Sequence, residues 1–118
     1  MLREAARLAA ARRTDEQARR LTELAARLGD PGDGAQTLDW AFMSELTEAA
    51  GNLVFTLIMN SIRELYFDRA ELFRAVVGGA EEYEAIARSV EAQDGDAAAD
   101  ATEQLTLGQE RRLRESLS

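Results

Sequence analysis

Few side chains in this sequence could carry chemistry from the interior of a folded protein. Helical spacing places five polar residues on or near inward faces, namely Asp39, Asn60, Tyr66, Tyr83 and Arg112. A carboxylate directed inward is costly unless it meets a cation, a hydrogen-bond donor or a ligand. A buried phenol likewise needs a partner for its hydroxyl. These residues are therefore candidates for a binding site.

Each candidate also has a simpler interpretation. Asp39 lies near the start of its predicted helix, where a carboxylate suits the helix dipole as a cap. Tyr66 and Tyr83 are typical core aromatics if their hydroxyls find partners. Asn60 lies on the less apolar side of its helix, with Arg63 among its neighbours, and could be a solvated amide.

The residue types that are missing restrict the function more than those that are present. The chain has no histidine, cysteine or lysine. It therefore lacks thiol nucleophiles, histidine-based triads, Cys/His zinc sites and the usual acid–base residue at neutral pH. A carboxylate pair would need a second inward acid beside Asp39, and Gly78-Gly79 lacks the spacing and the lysine of a phosphate loop. The sequence predicts no enzyme, no metal site and no cofactor.

Size and charge narrow the class further. With 118 residues, 46% of them hydrophobic, and one proline, the chain is predicted to form a single domain over residues 1–118. Its 22 acidic and 14 basic residues give a net charge of −8, which disfavours direct contact with nucleic acids or anionic membranes. No apolar run is long enough to span a bilayer and the first residues do not form a signal peptide, so a cytoplasmic location is expected.

Alanine, leucine, glutamate and arginine dominate the chain and predict an all-α fold, an antiparallel bundle of six to seven helices. A capping box is predicted at Thr14, and Thr37 and Asp96 are expected to cap later helices. The predicted helices cover residues 1–13, 15–28, 37–50, 53–67, 69–77, 80–93 and from 96 onward.

Residues 51–67 form the most apolar stretch, which is predicted to be the central helix of the bundle. Gly51 is expected to end the preceding helix in the left-handed conformation, and Asn52 to cap the next one. Apolar residues occupy most of the circumference of this helix. We therefore expect it to have neighbours on most sides.

Several short motifs together resemble the effector-sensing C-terminal domain of GntR-family transcription regulators of the FadR subfamily. The similarity extends over nearly the whole chain, from Leu2-Arg3 to the tail around Ala98. The motifs that carry it are Asp39-Trp40-Ala41-Phe42-Met43, Ala49-Ala50-Gly51-Asn52 and Ile58-Met59-Asn60-Ser61-Ile62-Arg63-Glu64-Leu65-Tyr66.

The resemblance implies an effector pocket and also indicates how it differs here. Many members of the subfamily bind a metal through the aspartate and three histidines, but Met43, Tyr83 and a position near Leu105 stand where those histidines would be. The chain is thus closer to the metal-free, acyl-CoA-binding branch, although Leu107 and Arg111 depart from its pattern. The effector-binding residues implied are Asp39, Met43, Asn60, Tyr66, Phe73, Tyr83, Leu105 and Gly108.

The functional prediction is a metal-free sensing and dimerisation domain of a GntR/FadR-like regulator. It would form a homodimer and bind a small organic acid or an acyl-CoA-like effector. DNA would be bound only through an N-terminal winged-helix domain that is absent from these residues. The alternative is a stand-alone helical dimerisation or adaptor module with a solid core and no effector.

Overall fold

The computed structural model describes residues 2–30, 32–69 and 77–117, with the side chain of residue 33 excepted. This part of the chain contains six α-helices and one short 3-10 helix, so the predicted all-α bundle is confirmed. The helices are α1 (Leu2–Arg12), α2 (Asp15–Arg27), α3 (Ala35–Ala49), α4 (Leu53–Asp68), α5 (Ala80–Glu91) and α6 (Gly95–Leu117), and the 3-10 helix is Gly32–Gly34. None of these described helices combines the length and apolarity needed to cross a membrane.

Local signals set several helix ends where they were predicted. The Thr14 side chain accepts a hydrogen bond from the Gln17 amide at 3.1 Å, and the Gln17 side chain accepts one from the Thr14 amide at 2.9 Å. Together they form the predicted capping box. Gly51 has a φ of +65°, and the Asn52 side chain accepts from the Val54 amide at 2.9 Å. Gly51 and Asn52 thus separate α3 from α4 as expected.

Two predicted caps are wrong. The 3-10 helix Gly32–Gly34 leads directly into α3, so this helix begins at Ala35 and Thr37 lies inside its first turn. The last helix begins at Gly95, and Asp94 rather than Asp96 accepts a hydrogen bond from the Ala97 amide, at 3.1 Å. In the last helix the earlier residue Asp94 satisfies a free amide of the first turn, whereas the N-cap of α3 is Gly34, which makes no side-chain capping bond.

Helix α1 packs against three other helices through alanines. Its residues Ala5, Ala6, Ala9 and Ala10 have no exposed surface, and α1 contacts α3, α5 and α6. Small side chains allow the neighbouring backbones to approach closely, which places α1 in the middle of the bundle. The core around it contains larger residues from the other helices, among them Leu21, Phe42, Leu46, Tyr83, Ile86 and Leu105.

The central position predicted for residues 51–67 is wrong. Among the described helices, α4 packs mainly against α3, and Met59 is the only one of its own residues that is buried. Leu53 is 71% exposed and Leu57 is 55% exposed. Hydrophobic periodicity identified an apolar helix correctly, but many of its apolar side chains are exposed and not buried in the core.

The predicted helix over residues 69–77 lies almost entirely outside the described residues. Arg69 ends α4, and its amide donates to the carbonyl oxygen of Leu65 at 3.0 Å. The next described residue is Val77, and Gly78 and Gly79 connect it to α5. These two glycines lie beside the candidate site.

Candidate functional site

The candidate site is organised around the buried carboxylate of Asp39. Asp39 is the fifth residue of α3 and is 4% exposed, so its interpretation as a first-turn cap is wrong. Its Oδ2 accepts a hydrogen bond from the hydroxyl of Tyr66 at 2.7 Å, and its Oδ1 accepts one from the hydroxyl of Tyr83 at 2.6 Å. We call Asp39, Tyr66 and Tyr83 the phenol–carboxylate clamp, because they tie α3 to both α4 and α5.

Backbone groups extend this clamp in two directions. The Gly78 amide donates to the Tyr83 hydroxyl oxygen at 3.0 Å. On the other side, the Tyr66 hydroxyl lies 3.1 Å from the carbonyl oxygen of Gln36, whose side-chain amide donates to the Tyr66 carbonyl at 3.2 Å. The clamp thus connects the beginning of α3, the end of α4 and the segment that precedes α5.

Electrostatics keep the two phenols in their protonated form. Burial, followed by the nearby charge of Asp39, raises the pKa of Tyr66 and of Tyr83 far above the ordinary range. Burial also raises the pKa of Asp39, and the hydrogen bonds from the two phenols and the charge of Arg112 oppose that rise. Both tyrosines therefore remain hydrogen-bond donors at any physiological pH.

The hydrogen-bond distances suit either protonation state of Asp39. When Asp39 is ionised, both hydroxyl hydrogens point to it. When Oδ2 carries a proton, it can donate to the Tyr66 hydroxyl oxygen, whose own hydrogen then points to the Gln36 carbonyl at 3.1 Å. The carboxyl group can change its charge without leaving a buried hydroxyl unpaired.

A groove of about 420 Å³ opens beside the clamp, between α4 and α6. Asp39 and Tyr66 form part of its wall, so a molecule in the groove would touch the clamp directly. We call it the Asp39 groove, and its volume is in the range of small-molecule sites. Its lining residues are Leu2, Asp39, Trp40, Met43, Met59, Ile62, Tyr66, Thr106, Gln109, Glu110 and Leu113.

Aromatic contacts fix the α4 wall of the groove. The Trp40 ring lies 4.9 Å from the Tyr66 ring and 5.7 Å from the Phe67 ring. Tyr66 and Phe67 also meet edge to face at 5.1 Å. Such contacts favour one orientation of the rings and so hold the end of α4 on α3.

The structure brings together some of the predicted effector residues and separates others. Asp39, Met43 and Tyr66 line the Asp39 groove, and Tyr83 reaches Asp39 from the other side. Asn60 is exposed on α4 and is not among the residues that line the groove. Phe73 lies outside the described residues.

Leu105 and Gly108 are buried where α6 packs on α5, and they do not line the groove. A methyl group at Gly108 would lie 3.2 Å from Nη1 of Arg112 and 3.4 Å from a carboxylate oxygen of Glu82. Arg112 and Glu82 form an ion pair at 3.6 Å. Gly108 therefore leaves room for this ion pair.

Several residues at the groove and the clamp were not predicted from the sequence. Trp40 is next to Asp39 in the chain, and its large ring beside an inward carboxylate was a signal that could have identified it. Gln36 does not line the groove but bonds to Tyr66, and because it lies just before the helix predicted over residues 37–50, this bond could not be anticipated. The contributions of Thr106, Gln109 and Leu113 depend on how α6 packs and have no local signal.

The donor set at the clamp differs from that of a metal centre. Both carboxylate oxygens of Asp39 accept hydrogen bonds from phenols, and Met43 and Leu105 offer a thioether and a hydrocarbon. Among the described residues, no group of three or more carboxylates is placed to hold a metal ion. The phenols connect the helices here through hydrogen bonds.

Comparison with known proteins identifies the family. No curated protein matches the chain. A family model, that of the FCD domain, matches residues 2–107 and so includes most of the chain and eight of the eleven described residues that line the groove. FCD domains are regulatory parts of transcription factors and do not form a catalytic family. The chain therefore belongs to the FCD domain family, the C-terminal effector-binding domains of GntR/FadR-like regulators.

Proposed function

We propose that this chain senses a small effector in the Asp39 groove, without a metal ion, and forms a homodimer. The protein would act in the cytoplasm, where it would control DNA binding by a winged-helix domain that lies outside these residues. The effector would act by binding one arrangement of the helices better than another, since only differential affinity can shift a conformational equilibrium. Couplings of this kind are typically about 1–3 kcal/mol.

One observation carries this proposal, namely that the groove and the clamp share Asp39 and Tyr66. The same carboxylate binds Tyr83, whose hydroxyl accepts from the Gly78 amide. A ligand that changes the position or charge of Asp39 would therefore act on the segment before α5. This gives a direct physical connection between an occupied groove and a second region of the bundle.

The lining of the groove supports a ligand with an apolar body. Leu2, Met59, Ile62 and Leu113 provide aliphatic and thioether surface along its walls. An organic acid or an acyl-CoA-like effector, which the family resemblance predicted, would place such a body there. The acidic side chains in the groove would repel the anionic head group of such an effector. An anionic effector is therefore predicted by the family resemblance alone.

The proposed dimer would form through the exposed apolar face of α4. Six large apolar residues on this helix are at least 39% exposed, and residues 53–62 contain no charged side chain. An uncharged, apolar face suits a two-fold contact because each copy presents the same surface without like-charge repulsion. The six residues are Leu53, Val54, Leu57, Ile58, Ile62 and Leu65.

Filling the groove would test effector sensing. Met59 is 6% exposed and lines the groove, so Met59→Trp should occupy part of its volume, while Met59→Leu keeps it open. We expect small amphiphilic compounds to raise the Tm of the wild type and of Met59→Leu but not of Met59→Trp. A broad panel that shifts no Tm would contradict the proposal, as would equal shifts in all three proteins.

The exposed face of α4 also favours the alternative, a dimerisation or adaptor module without an effector. The two functions differ in how the groove behaves. An adaptor would dimerise through α4, and its Tm and exchange rates would not respond to any small molecule. If a ligand raises the Tm only of the proteins whose groove is open, the protein cannot be an adaptor alone.

A further inference from the structure

Among the described residues that line the Asp39 groove, every charged side chain is acidic. Asp39 and Glu110 are its two ionisable acids, and Thr106 and Gln109 are neutral. No lysine exists in the chain, and no arginine is among the described residues that line the groove. A carboxylate or phosphate on a ligand would therefore face acidic side chains without a counter-ion in the described wall, which is a costly arrangement.

The aromatic and sulfur groups of the groove suit a cation. The face of an aromatic ring carries negative charge, and Trp40 attracts cations most strongly among aromatic side chains. Trp40 and Tyr66 lie with their ring centroids 4.9 Å apart on the wall that contains Asp39. Met43 and Met59 add polarisable thioethers next to them.

Two arginines near the groove do not reverse this charge. Arg114 forms an ion pair with Glu110 and is 76% exposed, so its charge is directed to solvent. An exposed pair of this kind is weak and leaves Glu110 able to attract a ligand cation. Arg112 also acts on Asp39 electrostatically, but it pairs with Glu82 beside Gly108, on the α5 side of α6, and does not line the groove.

We propose that the Asp39 groove binds a monovalent organic cation with a short apolar tail, such as an alkylammonium or a quaternary ammonium compound. The cationic head would lie against Asp39, Trp40 and Tyr66, and the tail would follow the apolar wall toward Leu113. This inference rests on the proposed effector-sensing function and specifies its ligand. The net charge of −8 on the chain would further attract such a ligand.

Three ligands with the same six-carbon chain and different charges test the proposal. Binding of hexyltrimethylammonium, hexan-1-ol and hexanoate to the full chain is measured by isothermal titration calorimetry at constant ionic strength. We expect the cation to bind about tenfold more tightly than the alcohol, and hexanoate to bind more weakly than both. The advantage of the cation over the alcohol should shrink as salt is added.

Two charge-removing variants locate the effect. Asp39→Asn and Glu110→Gln should each weaken binding of hexyltrimethylammonium severalfold and change binding of hexan-1-ol little. Glu115→Gln is the matched control, because Glu115 is an exposed acid on the same helix and does not line the groove. It should bind all three ligands as the wild type does.

The possible results separate this inference from the function on which it rests. Tightest binding of hexanoate, or equal binding of cation and alcohol, overturns the cationic class but leaves effector sensing intact. If none of the three ligands binds at millimolar concentration, the cationic class is overturned. If the broad panel also leaves the Tm unchanged, effector sensing fails as well.

Discussion

The hydroxyl of Tyr83 donates a hydrogen bond of 2.6 Å to Oδ1 of Asp39, joining the first turn of α5 to the second turn of α3 across 44 positions of the chain. Both residues are buried, and the Phe42 ring packs edge to face against the Tyr83 ring at 5.2 Å. Because the Tyr83 hydroxyl also accepts a hydrogen bond from the Gly78 amide, it links Asp39 in the wall of the groove to the segment before α5. The stability and the ligand response of the protein should both depend on it.

Replacing Asp39 separates its hydrogen bonds from its charge. In Asp39→Asn the amide can accept from Tyr83 and donate to Tyr66, whose hydroxyl then points to Gln36, so stability at neutral pH should change by less than about 1 kcal/mol. Asp39→Ala leaves the Tyr83 hydroxyl without an acceptor and creates a cavity, and it should cost about 2–4 kcal/mol. Urea unfolding of both variants measures the difference. Equal losses in the two would show that the hydrogen bonds do not stabilise the bundle.

The raised pKa of Asp39 predicts how stability depends on pH. The folded chain holds the Asp39 proton more tightly than the unfolded chain, where the ordinary value is 3.8. As the pH rises from this value to the higher pKa of the folded state, the free energy of unfolding should fall through this group. Below that window the contribution is fully present. Above it the contribution is lost.

The comparison with Asp39→Asn isolates this contribution, because other acids, including Glu45, titrate in both proteins. We expect the stability of the wild type minus that of the variant to decrease with pH across the window. Urea unfolding at a series of pH values measures this difference. A difference that increases with pH would mean that the phenol hydrogen bonds outweigh burial and lower the pKa of Asp39.

A charge on the exposed face of α4 should prevent dimerisation. Leu57→Glu places an acid in the proposed contact, where the two-fold axis would bring it near its own copy. Gln104→Glu, which adds the same charge at an exposed position on α6 that does not line the groove, is the control. Sedimentation equilibrium should show a monomer for Leu57→Glu and a dimer for the control and the wild type. Dimers in all three would move the interface away from this face.

Gly78 should tolerate no side chain. A methyl group at this position would lie 2.5 Å from Cδ1 of Leu105, which is fully buried, and 3.2 Å from Oε1 of Glu82. Gly78→Ala should therefore cost about 1–3 kcal/mol. Gly34→Ala is the control, since its added methyl group would have no heavy atom of a described residue, beyond its chain neighbours, within 4 Å. Chemical unfolding should distinguish the two, and equal stabilities would show that Leu105 can move away.

The sequence was sufficient at three helix boundaries that depend on local signals and for the inward position of Asp39, although the local signals at Thr37 and Asp96 were misleading. Thr14, Gly51 and Asn52 act through neighbours within three residues, and each behaves as predicted. The inward position of Asp39 followed from its spacing to Phe42. The capping interpretation failed because α3 begins four residues before Asp39, after a 3-10 turn that has no strong sequence signal.

Packing between helices was less predictable. Periodicity shows which side of α4 is apolar but not what covers that side, so an exposed apolar face was interpreted as a buried one. Helix α1 shows that a weak hydrophobic signal can also belong to a central helix, since its alanines carry little apolar surface and are fully buried. The pairing of Glu82 with Arg112 also joins two helices and could not be read from either one.

Hydrogen exchange in residues 77–83 tests the central claim most directly, using the ligand that raises the Tm most. Tyr83→Phe removes one hydroxyl and leaves the residues that line the groove unchanged. We predict that the ligand slows exchange of these amides in the wild type, and that Tyr83→Phe still binds the ligand but loses this effect. Equal protection in both proteins, or none in the wild type, would contradict coupling through Asp39.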